Sequence, residues 1–252
     1  MGRNWLTKSY PYGTLLNING IDGCKGGWLV AKTKFCPHSG THQDHQVEIV
    51  ENWRKAVQKA DLIAVDMPIG LTTFGKRTCD VLARKKLGKK KSSSVFSPPR
   101  RGMLQFETYA QANCFGKEQG PRETYGGGLS KQAWNITPKI KEIDGWITPR
   151  RQSRVFETHP ELVYAALNGG TPLSSKKTED GQRDRIRLLK DNGMAAFTNK
   201  LETLPSRMAA PDDILDAAVL CLAGARIVLG QATCLTDNAQ KDETGLKMEI
   251  WF

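Results

Sequence analysis

Apolar and polar residues follow two rhythms along the first quarter of the chain, and the change between them marks out elements. The run Leu15-Leu16-Asn17-Ile18-Asn19-Gly20-Ile21 predicts a strand ending at Asp22. The turn Gly23-Cys24-Lys25-Gly26-Gly27 follows, then a second apolar run over 28–31 and a polar loop rich in histidine. Residues 46–51 alternate with period two and predict a third strand. Asn52 is placed to cap a short helix over 53–59, with Trp53, Ala56, Val57 and Ala60 on one face. Residues 62–66 form an apolar run without alternation, the pattern of a parallel strand buried on both faces.

From Met67 to about Arg154 the pattern weakens. The stretch holds a Ser/Pro turn (Ser92-Ser93-Ser94, Ser97-Pro98-Pro99), the cluster Gly126-Gly127-Gly128, and a helix predicted over 130–142 on Ala133, Trp134, Ile136 and Ile140. It reads as a helical insertion at about 71–154 within a single domain spanning 1–252. Val155–Glu157 predicts a short strand. His159-Pro160 opens a helix with Leu162, Val163, Ala166 and Leu167 on its apolar face, closed by Asn168-Gly169-Gly170. A charged helix over 181–190, a strongly apolar helix over 211–229 and a terminal strand over 246–252 complete an α/β pattern. Right-handed crossover makes the first and fourth strands parallel neighbours.

A chain of 252 residues, 39% apolar and 25% charged, has the makings of an ordinary globular core. The six cysteines form no CxxC pair, which fits reduced thiols in the cytoplasm better than a disulfide framework. The first 19 residues lack an apolar targeting segment, and no apolar stretch approaches the ~20 residues of a membrane span. A soluble, cytoplasmic protein is therefore expected. The net charge of +11 is concentrated: ten basic residues against the single acid Asp80 lie between Lys76 and Arg101, leaving the rest of the chain at +2. Such a block suits a polyanion, nucleic acid above all, although a solvated basic loop has the same composition.

Three carboxylates change the picture. Asp22 and Asp66 end two strands predicted to be adjacent and parallel, which puts them at one carboxyl-terminal sheet edge, about 5 Å apart. Asp216 interrupts Ile214-Leu215-Asp216-Ala217-Ala218, a full turn inside an apolar helix, where capping does not account for it. Asp213 shares its face, three residues earlier, but together with Asp212 it also suits a first-turn cap beside Pro211. Glu157 ends a third strand. Buried anions cost several kcal/mol unless paired or metal-bound, and a divalent cation is the simplest shared partner for Asp22, Asp66 and Asp216. Other signals are weaker. Cys36, His38, His42 and His45 match no standard zinc spacing. His159 reads as a helix-start residue, and the glycines of the first turn as a tight hairpin. No dinucleotide fingerprint and no nucleophile–His–acid arrangement is legible.

Four phrases carry a resemblance: Gly20-Ile21-Asp22-Gly23-Cys24-Lys25-Gly26-Gly27-Trp28, Asp66-Met67-Pro68-Ile69-Gly70-Leu71, Phe156-Glu157-Thr158-His159-Pro160-Glu161 and Asp213-Ile214-Leu215-Asp216-Ala217. Gly128-Leu129-Ser130-Lys131-Gln132 and Ser175-Lys176-Lys177-Thr178 extend it. In this order they resemble the family known as domain of unknown function 429, predicted to be ribonuclease-H-like nucleases, and the last helix is similar to the resolvase branch of that superfamily. The resemblance implies a mixed sheet of three antiparallel strands followed by parallel ones, with flanking helices. It implies hydrolysis of nucleic acid, DNA or RNA, by two Mg²⁺ (or Mn²⁺) ions, with Asp22, Asp66, Glu157, Asp213 and Asp216 as the catalytic set. Lys25, Lys85, Lys86, Arg100, Arg101 and Lys131 are the candidate contacts to the phosphate backbone. Two alternatives stay open: a non-catalytic nucleic-acid-binding protein on the same fold, and a phosphotransferase using Asp22-Gly23-Cys24-Lys25-Gly26 as a phosphate-binding turn. Length speaks against the latter.

Overall fold

The computed structural model describes residues 9–118, 127–201, 207–236 and 240–252. The chain divides into two compact units, one built from Met1–Met67, Ser153–Cys234 and Trp251–Phe252, the other from Pro68–Gln152 and Leu235–Ile250.

The first unit is mixed α/β. Its five-stranded sheet runs β3-β2-β1-β4-β5, from β1 (Leu16–Cys24), β2 (Gly27–Cys36), β3 (Thr41–Val50), β4 (Leu62–Val65) and β5 (Val155–Glu157). The first three strands pair antiparallel; β4 joins β1 in parallel, and β5 joins β4 in parallel. The β1–β2 turn is closed by the pair Cys24–Gly27, and Gly27 adopts φ 125°. A side chain there would stand 2.3 Å from the carbonyl oxygen of Val50, so the turn needs glycine on both counts.

The histidine-rich segment, expected to be a loop, is mostly strand. β2 runs to Cys36 and β3 starts at Thr41, leaving only residues 37–40 to turn. The His42 ring packs 4.8 Å from Phe35, and burial followed by the His45 charge lowers its pKa to about 4. Cys36, His38, His42 and His45 form no metal-ligand group among the described residues. The helix expected over 53–59 is a single turn, α1 (Trp53–Ala56): Asn52 caps it at 3.1 Å from the Lys55 amide, and Lys59 turns left-handed at φ 57°.

Four further helices belong to this unit: α5 (Pro160–Leu167), α6 (Glu179–Asp191), α7 (Ala195–Thr198) and α8 (Pro211–Val228). Every residue of α8 from Ile214 to Ala225 is buried, as in a helix enclosed on all sides. It lies on β1, β2 and β4, with α5, α6 and α7 against its other flank. The terminal strand is shorter than expected: β6 (Cys234–Leu235) and β7 (Ile250–Trp251) form a two-stranded sheet, and Trp251 bridges Thr158 in parallel.

The second unit is helical. It contains α2 (Thr78–Lys91), broken by Gly88 at φ 68°, α3 (Tyr109–Glu118) and α4 (Lys131–Asp144). Met103, Ala112, Leu129 and Ala133 form a core, joined by Phe106, Phe115 and Trp134. Asp242 fastens residues 240–249 to it by accepting from the amides of Leu71 (3.1 Å) and Leu246 (3.0 Å) and from the hydroxyl of Thr244 (2.7 Å). Among the described residues no helix is long and apolar enough to cross a membrane.

Candidate functional site

The site is built where β1, β4 and α8 meet in the first unit. The pairing of Ile21 with Val65 brings the two strands to a common end, and the Asp66 amide donates to the Ile21 carbonyl at 3.0 Å. Asp22 and Asp66 are thus neighbours, both half-buried. Helix α8 approaches this edge closely because Gly20, two residues before Asp22, has no side chain. A Cβ there would lie 2.0 Å from the Ala217 carbonyl oxygen and 2.8 Å from the Cys221 amide. Gly224 repeats the arrangement from the helix side, where a Cβ would meet Ile18 at 2.5 Å. Two glycines on facing elements therefore set the height of Asp216 over the strand ends.

The acids lie near enough to feel one another's charge. The Asp22 carboxyl is raised well above its ordinary range, by burial first and then by the charges of Asp66, Asp216 and Asp213. Burial also raises Asp66, against the opposing pull of His159 and Lys176. Asp216, only 6% exposed, reaches about 6: burial raises it, and the neighbouring Lys176 restrains the shift. Asp213 is raised by burial too, although its Oδ2 caps α8 by accepting from the Ala210 amide at 2.8 Å. The cap and the cluster therefore share one residue.

Lys176 stands among these acids. Its Nζ lies 2.8 Å from Asp216 Oδ2 and 2.8 Å from Asp212 Oδ2. Burial works against its charge, but Asp216 and Asp212 outweigh this and raise its pKa. The loop that carries Lys176 is itself fixed. Arg185, fully buried on α6, donates to the Ser174 carbonyl at 3.0 Å, to the Gly181 carbonyl at 2.7 Å and to Glu161 Oε1 at 2.6 Å. Its guanidinium lies 5.2 Å from the centre of the Tyr164 ring, and the Tyr164 hydroxyl donates to the Leu215 carbonyl at 2.8 Å. Thr178 caps α6 and also donates to the Ser175 carbonyl at 2.8 Å. One network thus anchors the lysine loop and the backbone beside Asp216.

Asp22, Asp66, Asp213 and Asp216 come together. Glu157 ends β5, buried and paired in register with Val65. Lys25 is exposed at the hairpin tip, near enough for its charge to lower Asp213. The remaining basic candidates lie in the second unit, and they differ in kind. Lys85, Lys86 and Lys131 are exposed on α2 and α4. Arg100 and Arg101 are not exposed. Arg100 is buried and donates to the carbonyls of Gly116 (2.7 Å) and Gly127 (3.3 Å). Arg101 is bonded to Asp144 at 2.8 Å and 2.9 Å and to Asp242 at 2.6 Å. Lys176, Glu161 and Arg185 were not singled out by sequence reasoning, and Asp212 was read only as a helix-cap residue. The sign in the sequence was that Ser175-Lys176-Lys177-Thr178 and Pro160-Glu161 sit within the phrases that carry the family resemblance.

The donors of the cluster are all carboxylate oxygens, hard ligands of the kind Mg²⁺ and Mn²⁺ prefer. Their raised pKa values express mutual repulsion and burial, both of which a divalent cation would relieve. Their donor chemistry suits such an ion; among the described residues, no three of these four carboxylates bring their oxygens within 4.8 Å of one another. Fold and site together define a mixed α/β protein with an acidic cluster at the carboxyl-terminal edge of its parallel strands. The chain belongs to the family of proteins of unknown function DUF429, whose model matches residues 20–241. No curated protein and no solved structure matches it.

Proposed function

We propose that this chain is a Mg²⁺- or Mn²⁺-dependent nuclease or phosphodiesterase with a ribonuclease-H-like fold, acting on nucleic acid. The observation that carries the reading is the convergence of Asp22, Asp66, Asp213 and Asp216 from two strand ends and a buried helix, with burial and mutual charge holding their pKa values high. A scaffold that gathers acids at such cost suits a cation that binds there. Asp22, Asp66 and Asp216 would hold the metal, with Asp213 and Glu157 at its margin. Bound divalent ions supply an activated water and charge compensation for the leaving oxygen. The protein's own part is placement. Parallel pairing fixes Asp22 beside Asp66, the two glycines set the height of Asp216, and Lys176 offsets negative charge through Asp212 and Asp216. Exposed Lys25, Lys85, Lys86 and Lys131 would draw in the phosphate backbone.

Lys176 also favours a second reading. An internal ammonium neutralises part of the cluster without metal, as a non-catalytic nucleic-acid-binding protein would need. Titration of the wild type and Asp22→Asn/Asp66→Asn with Mg²⁺ and Mn²⁺, alongside cleavage of a DNA and RNA panel, separates the two. Metal-dependent cutting that the variant loses supports the nuclease. Nucleic-acid binding without metal affinity supports the binder.

A further inference from the structure

The second unit holds a partly open polar pocket of about 180 Å³ whose walls include Lys76, Arg77, Asp80, Ser97, Arg100 and Ser130. Arg100 is the informative residue. It is 4% exposed, and its Nη2 serves the carbonyls of Gly116 and Gly127, whereas its Nη1, equally removed from solvent, has no acceptor. Burial lowers its pKa, and no carboxylate works against that shift. A buried charged donor without a partner is destabilising, so the structure retains a group that an anion would satisfy. Arg77 differs in having a carboxylate beside its guanidinium, Asp80 at 3.4 Å. Three cations therefore face one carboxylate around the cavity.

Two further features point to the same class of ligand. Ser130 is the cap of α4, a helix of 14 residues, so the positive end of a helix dipole meets the cavity wall. Ser97 Oγ accepts from Arg84 at 2.9 Å, which leaves its own proton to donate. Donors on several sides suit a tetrahedral oxyanion better than a planar carboxylate. The volume lies well under the roughly 300–1,000 Å³ of pockets for drug-sized molecules, so it suits one small group rather than a whole nucleoside.

We propose that this cavity is a phosphate-binding site, lined by Arg100, Lys76, Ser97 and Ser130, that takes a single phosphate group as a monoester, a diester or the free ion. It lies wholly within the second unit and stands independently of the metal reading.

The test is calorimetric titration of the full chain with inorganic phosphate at constant ionic strength, with chloride as control and melting temperature as a second readout. Saturable binding and a raised melting temperature are expected. Lys76→Ala, at an exposed position, should weaken binding about tenfold, the loss of one charge-assisted contact. Arg100→Lys should weaken it at a temperature where the circular dichroism matches wild type. No saturable binding, or equal affinity in both variants, overturns the site. Competition identifies the source. Displacement only by a 5′-phosphorylated oligonucleotide means a terminal phosphate, equal displacement by its 5′-hydroxyl twin means a backbone phosphate, and displacement by neither means a free ion. Asp22→Asn/Asp66→Asn should bind phosphate unchanged, so failure of the metal centre and failure of this site are distinct results.

Discussion

Asp216 reaches a pKa of about 6 inside a helix that is otherwise apolar, and that value has a consequence for stability. An aspartate in an unfolded chain titrates near 3.9, so the folded protein holds the proton more tightly. The stabilisation from that proton is complete below about pH 3.9 and is lost as pH rises through about 6. Asp22 and Asp66 shift in the same direction. The raised pKa of Lys176 acts only in the alkaline range and leaves this window untouched. Metal-free protein should therefore lose stability between pH 5 and pH 7, by roughly 1 kcal/mol from Asp216. Asp216→Asn should flatten that loss in thermal melts across this range, and Mg²⁺ added at pH 7 should restore stability to the wild type alone. A wild-type melting temperature that climbs steadily from pH 5 to 7 without metal would contradict this account. A second single residue tests the scaffold. Arg185→Met leaves Glu161 buried without its partner and should cost about 3–5 kcal/mol, whereas Arg185→Met/Glu161→Leu should recover most of it. Chemical denaturation of the two variants measures the difference.

Between elements, the decisive contact is α8 on β1. Gly20→Ala adds one methyl, yet that methyl would lie 2.0 Å from the Ala217 carbonyl, backbone that cannot turn aside. The helix must lift, and overpacking of this kind costs about 1–3 kcal/mol or more. Because Asp216 immediately precedes Ala217, the same shift should weaken Mn²⁺ binding by at least as much as it lowers stability. Calorimetry on Gly20→Ala that finds full metal affinity would detach the glycine from the site. This level also shows what could be read in advance. Asp22 and Asp66 were legible because an apolar run ending in an acid is a local pattern, and crossover handedness then makes the two strands neighbours. β2 and β3 extend past their expected limits because residues such as Thr41, His42 and Gln43 are polar on a half-exposed edge strand, where composition imitates a loop. Helix α2 was hidden by its lysines, which blur any apolar face. Lys176 stood only within a phrase of the resemblance, and nothing local tied it to the acids, since a loop brings it to Asp216 from 40 residues away.

At the scale of the whole molecule the question is what the excess of positive charge does. The ten basic residues from Lys76 to Arg101 look uniform in sequence, but the fold sorts them by type. Arg77 sits beside Asp80, Arg84 donates to the Val95 carbonyl at 3.0 Å, Arg100 to the Gly116 and Gly127 carbonyls, and Arg101 to Asp144 and Asp242. Lys76, Lys85, Lys86, Lys89 and Lys90 are exposed. This follows from side-chain chemistry, since a planar guanidinium can satisfy several buried acceptors while an ammonium keeps its hydration at the surface. The two classes should then fail differently. Replacing Lys85, Lys86, Lys89 and Lys90 by Gln should leave the melting temperature near wild type and flatten the salt dependence of nucleic-acid binding. Each lost phosphate contact should reduce the slope of log K against log salt by roughly 0.9 on duplex or 0.7 on single strands. Arg101→Gln should do the reverse: it removes the cation paired with the buried Asp242 carboxylate and lowers the melting temperature, with little change in slope at temperatures where the protein stays folded. Filter binding across a salt series, paired with thermal melts, separates the outcomes. An unchanged slope in the lysine variant would mean that the charged block faces solvent alone and that nucleic acid, if bound, is held elsewhere.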